Sequence, residues 1–134
     1  MRKTYLELLE KGNYVEAVEE FVNTRDNVTF IELQEFLGRK FITKGTYSMD
    51  IPEHNIIIWA GMSKEFIDIM EQVRVRGNVS IDGTSYFVYL CDGGVLRLPI
   101  AKRPSKKRPY KTPHWAPAVL RRKVTSHEKV KGGI

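Results

Sequence analysis

Residues 63–100 read SKEFIDIMEQVRVRGNVSIDGTSYFVYLCDGGVLRLPI, and the fold turns on how this stretch is parsed. Ser63 is an N-cap residue, and Met62 and Ile67 are spaced to staple the start of a helix. At about 100° per residue, Phe66, Ile67, Ile69, Met70 and Val73 cover one broad face. Gly77 suits the C-terminal cap. The spacing therefore predicts a helix over 64–76. Beyond it, residues 79–82, 85–90 and 95–100 read as three strands. Asp82-Gly83 and Asp92-Gly93-Gly94 read as the hairpin turns between them, because glycine supplies the positive φ such turns need. Residues 86–90 are apolar on both faces, which predicts a central strand.

Moving toward the N-terminus, residues 55–59 (Asn-Ile-Ile-Ile-Trp) are β-branched and bounded by turn residues, so they read as a buried strand, with Trp59 in the core. Residues 47–51 read as an edge strand. Thr29 and Glu32 have the spacing of a capping box, and Val28 and Leu33 that of a hydrophobic staple. They open a helix through Phe30, Leu33, Phe36 and Leu37 that Gly38 closes. Arg39 and Lys40 lie at the negative end of its dipole. Asn13 and Glu16 repeat the capping-box spacing ahead of a second helix, 13–23, after a short first one at 4–11. This pair is expected to pack on the domain; the alternative is a homodimerisation or partner-docking hairpin. Glu16, Glu19 and Glu20 read as a solvated helix face.

Moving toward the C-terminus, the composition changes at Pro99. Five of the six prolines lie between there and Pro117. The charge changes with it. Residues 1–100 hold 11 basic and 15 acidic side chains, a net of −4, whereas residues 101–134 hold 11 basic side chains and one acid, a net of +10. The overall charge of +6 thus describes neither part. A globular domain at 1–100 and a basic, Pro-rich extended tail at 101–134 are predicted.

The order of elements resembles a winged-helix domain, a helix-turn-helix-like core followed by a small β wing, over roughly residues 29–100. The resemblance is architectural. It implies an α+β fold with three or four helices and a small antiparallel sheet. Helix 64–76 would take the recognition position and the turn at Asp92-Gly93-Gly94 the wing. The family's docking mode puts the exposed face of that helix in a DNA major groove. Here that face carries Lys64, Glu65, Asp68, Glu71 and Gln72, a net of −2. Its acidity opposes a polyanion, with Arg74 and Arg76 at the margins able to reach phosphate.

The tail carries the functional signal. Lys102, Arg103, Lys106, Lys107, Arg108 and Lys111 fall within ten residues, followed by Arg121, Arg122 and Lys123. An extended basic chain can track a phosphate backbone. The interleaved Tyr110, His114 and Trp115 can stack on unpaired bases. These residues point to nucleic acid as the partner, DNA favoured and RNA the alternative, with the acidic domain open to a protein partner. A ribonucleoprotein component or a protein–protein adaptor are the competing roles. No catalytic group, cofactor or metal is expected. His54, Cys91, His114 and His127 lack the near spacing of a zinc half-site. Asp92-Gly93-Gly94 lacks the lysine and helix of a phosphate loop. The single cysteine, Cys91, reads as buried or half-buried. The glutamates among the first 25 residues argue against a leader, and no apolar run is long enough for a bilayer. An intracellular protein, cytoplasmic or nucleoid-associated, with no membrane partner, is expected.

Overall fold

The capping box at Thr29 forms. The Thr29 hydroxyl accepts from the Glu32 N–H at 3.2 Å, and the Glu32 carboxylate accepts from the Thr29 N–H at 3.3 Å. This computed structural model describes residues 4–102 and 108–123. The protein is α+β. Helices α1 (Tyr5–Glu10), α2 (Tyr14–Arg25) and α3 (Phe30–Leu37) come first, then strands β1 (Lys44–Ile51) and β2 (Ile56–Met62) around a 3-10 turn at Pro52–His54. Helix α4 (Lys64–Arg76), strand β3 (Val79–Gly83), helix α5 (Tyr86–Cys91) and strands β4 (His114–Trp115) and β5 (Ala118–Arg122) complete the order.

Local chemistry sets the helix ends. Ser63 caps α4 by accepting from the Phe66 N–H, and Gly77 ends it with φ of 67°, a conformation that favours glycine. The hydroxyl of Thr4 caps α1 in the same way. Asn13 departs from expectation, for its side chain makes no capping bond to α2. Helices α1 and α2 pack on the core through Leu8, Leu9, Val18 and Phe21, all buried. The rings of Phe21 and Phe36 stack with centroids 4.4 Å apart.

Two sheets flank the helices. In the first, β2 lies between β1, antiparallel and bulged, and β4, parallel. In the second, β3 pairs antiparallel with β5, from Val79↔Arg122 to Gly83↔Ala118. Gln34 fastens α3 to the first sheet. Its amide donates to the carbonyls of Thr43 and Gly61 and accepts from the Trp59 indole N–H at 3.0 Å, so each polar atom buried there is used.

Three expectations are corrected. Residues 85–90 are not a central strand. Ser85 caps helix α5 by accepting from the Phe87 N–H, and the helical period turns Tyr89 inward, fully buried, while Phe87 and Leu90 face out. The Tyr89 hydroxyl donates to the Ala118 carbonyl and accepts from the Phe30 N–H, which ties α5 to the starts of α3 and β5. Residues 95–100 form no strand apart from a bridge between Ile100 and Trp115, so the Asp-Gly turns join no hairpin. Finally, the boundary expected after residue 100 cuts through the folded unit. Trp115, Ala118, Val119 and Leu120 are buried, and β5 is the antiparallel partner of β3.

The polar link before α3 is a latch for β5. Val28 and Leu120 exchange both backbone hydrogen bonds, at 2.9 and 2.8 Å. The carboxylate of Asp26 accepts from the Arg122 N–H at 2.8 Å. That hydrogen bond chiefly holds the Asp26 pKa below its ordinary value, against the opposing effect of burial, with help from the Asn27 N–H and the charges of Arg122 and Arg121. A carboxylate lowered on folding stabilises above its ordinary range, and the contribution is lost as pH falls through the folded value. Thermal melts are therefore expected to lose stability as pH drops below about 4, with a shallower loss in Asp26→Asn. Equal slopes for the two proteins in that window would count against the latch.

Candidate nucleic-acid interface

The basic side chains fall into two groups of different character. One surrounds the edge of the first sheet. The backbone enters there through the Ala101 N–H to the Trp115 carbonyl, at 2.9 Å, and the Trp115 N–H to the Pro99 carbonyl, at 2.8 Å. It returns through the Tyr110 N–H to the His54 carbonyl, at 3.2 Å. Asn55, in the left-handed conformation with φ of 56°, donates its side-chain amide to the Tyr110 carbonyl at 3.0 Å. Its own carbonyl accepts from the His114 N–H at 3.1 Å. Lys102, Arg108 and Lys111 are exposed at the two ends of this segment. Arg103, Lys106 and Lys107 lie outside the described residues.

Tyr110 and His114 stack beside these charges, ring centroids 3.8 Å apart and planes 14° from parallel. Both are half-buried. The His114 Nδ1 lies 2.8 Å from the Thr112 carbonyl. A carbonyl only accepts, so Nδ1 carries the proton.

The second group is bound up with the fold. Arg121 donates to the Asn27 side-chain carbonyl at 2.7 Å, and Arg122 lies 3.7 Å from the Asp26 carboxylate. Lys123 donates to the Gly77 carbonyl at 2.9 Å, at the negative end of the α4 dipole. Arg74 pairs with Glu71 at 2.8 Å. Arg76 pairs at 3.0 Å with Glu19, which also accepts from Asn78. Glu19 is thus not on a solvated face, as its helix position suggested, but 7% exposed and neutralised. These five cations remain solvent-accessible, yet each has a fixed acceptor that a phosphate would have to share.

Trp115 is corrected outright. It is 1% exposed, and its indole N–H donates to the Ile58 carbonyl at 3.1 Å. Its ring packs against Trp59 and edge-on to Tyr89, centroids 6.0 and 5.3 Å away. It holds the sheet together and cannot meet a base. Cys91 is also corrected, being exposed.

Other features offer less chemistry. A groove of about 920 Å³ runs between α3, the start of β1 and the turn at residues 92–94, with Trp59 at its floor. The Gln34 amide on its wall is already satisfied. Near the turn, Asp92 accepts from the Thr29 hydroxyl at 2.6 Å. Burial raises the Glu32 pKa, the Thr29 N–H opposes that rise, and the Asp92 carboxylate adds to it. Burial likewise holds the Tyr89 phenol far above its usual range. These groups brace α3 against α5. Among the described residues, no three His, Cys, Asp or Glu side chains gather so as to hold a metal ion. Among the same residues, no helix is long and apolar enough to cross a membrane.

The cations of the first group are legible in the sequence, but the role of Asn55 is not: it reads as the first residue of the strand 55–59, whereas it precedes β2 in the left-handed conformation. Sequence reasoning also missed Asp26 and Asn27 as acceptors for β5. The signal available was their type, since Asp and Asn tolerate positive φ, which they adopt here at 58° and 52°. No protein-family model, curated protein or solved structure matches the chain.

Proposed function

We propose that this is a non-catalytic nucleic-acid-binding protein, a small DNA-binding regulatory or accessory protein, whose segment from Lys102 to Lys111 makes the phosphate contacts. One observation carries the reading. That segment holds six cations in ten residues, and its ends are fastened to the same sheet edge by Ala101, Trp115, Tyr110 and Asn55. A tethered basic segment loses less conformational entropy on meeting a polyanion than a free tail does. The outward side of α4 keeps Glu65 and Asp68 exposed, so groove insertion by that helix is not the proposed mode. Phosphate recognition by Lys and Arg releases counterions and carries a steep salt dependence.

The test is fluorescence anisotropy of the whole chain with labelled duplex DNA and structured RNA over a salt series. Micromolar or tighter binding that weakens steeply with salt is the expected result. No binding to either at low salt would overturn the proposal.

A further inference from the structure

The Tyr110–His114 stack sharpens this reading, and the inference drawn from it rests on the proposed function. We infer that the stack is a platform for an unpaired base, so that the preferred ligand is single-stranded nucleic acid rather than duplex.

Four features of the geometry support the assignment. The two rings lie nearly parallel at 3.8 Å, which presents a preformed aromatic surface at the margin of the fold. Unlike the rings of Trp59, Tyr89 and Trp115, neither is enclosed in the core. The platform is rigidly mounted, because Tyr110 is held through its backbone N–H to His54 and its carbonyl to Asn55, and His114 through its backbone N–H to Asn55. Exposed cations, Arg108 and Lys111, stand within two residues of Tyr110. This places phosphate-binding charge beside a base-stacking face, the combination that grips a single strand independently of sequence. In a duplex the faces of the bases are covered by their neighbours, and only a flipped or unpaired base can reach such a surface.

The experiment compares the full chain with Tyr110→Ala, Tyr110→Phe and Lys111→Gln. The probes are a 12-nucleotide oligo-dT, a 12-nucleotide oligo-U and a duplex of the same length. Wild type is expected to prefer either single strand over duplex. Tyr110→Ala should weaken single-strand binding by roughly 5- to 100-fold, with little change on duplex and an unchanged salt slope. Tyr110→Phe should retain wild-type binding, since the face of the ring is what acts. Lys111→Gln should weaken both ligands and make the salt slope shallower by about 0.7 on the single strands. The backbone bonds that mount Tyr110 survive each change, and matching thermal melts confirm this. Equal losses on duplex and single strand in Tyr110→Ala, or no loss, overturn the inference. A wild-type chain that binds duplex but not oligo-dT or oligo-U overturns it while leaving the proposed function standing. Binding to none of the probes overturns both.

Discussion

A chain cut after Ile100 is expected not to fold, whereas one cut after Lys123 is expected to melt cooperatively near the temperature of the full chain. The shorter cut removes Trp115, Val119 and Leu120, each no more than 1% exposed. It leaves β3 without its five register partners. It also strips Val28 of both backbone bonds and the Tyr89 hydroxyl of its acceptor at Ala118. Truncating one buried Trp or Leu to alanine typically costs about 3–5 or 2–5 kcal/mol. Two such losses already match the total stability of an ordinary domain, about 5–15 kcal/mol. The exposed sheet edge would favour aggregation as well. Circular dichroism melts and amide dispersion in NMR spectra of the two truncations decide the matter. A cooperative transition for residues 1–100 would mean that β4 and β5 are dispensable. The same result governs how binding is tested, for deletion at residue 100 would confuse loss of the basic segment with loss of the fold.

The elements legible in the sequence were those decided by neighbours. Thr29 with Glu32, and Ser63 with Gly77, announce α3 and α4 because caps act within a few residues. The 86–91 stretch, Tyr-Phe-Val-Tyr-Leu-Cys, has no polar alternation to separate strand from helix. Its state is decided at long range by Tyr89, which reaches Phe30 and Ala118. The apparent turn at Asp92-Gly93-Gly94 then ends a helix instead of closing a hairpin. Strand β5 was hidden differently. Ala118, Val119 and Leu120 are a short apolar run within a stretch whose average is basic and proline-rich. Their partner β3 begins 39 residues upstream, at Val79, and pairings at such separation leave no local signature. The candidate interface divides in the same way. Charge is legible at once, so the cations were found, but their acceptors were not. Nothing near Arg76 in sequence points to Glu19, and nothing near Arg121 points to Asn27.

That division yields the second large effect, an expected contrast between two sets of charge-removing substitutions. Replacing Lys102, Arg103, Lys106, Lys107, Arg108 and Lys111 together with glutamine should nearly abolish nucleic-acid binding. Six phosphate contacts on duplex correspond to a slope of about −5 in log K against log salt. A protein using all six therefore loses roughly 10³-fold in affinity between 50 and 200 mM salt. The neutralised chain should show a nearly flat response, because the cations that generate the slope are gone. Replacing Arg74, Arg76, Arg121, Arg122 and Lys123 should act in the opposite sense. Glu19 would keep a mostly buried carboxylate without the arginine that faces it at 3.0 Å, and the Gly77 carbonyl would lose its ammonium partner. Removing one partner of a buried or half-buried pair strands the other, which destabilises more than loss of an exposed charge does. The second set should therefore lower the melting temperature while keeping most of the salt slope. If the slope instead disappears with the second set and survives the first, the phosphate contacts lie at the far end of β5 and α4, and the tethered segment from Lys102 to Lys111 is a bystander.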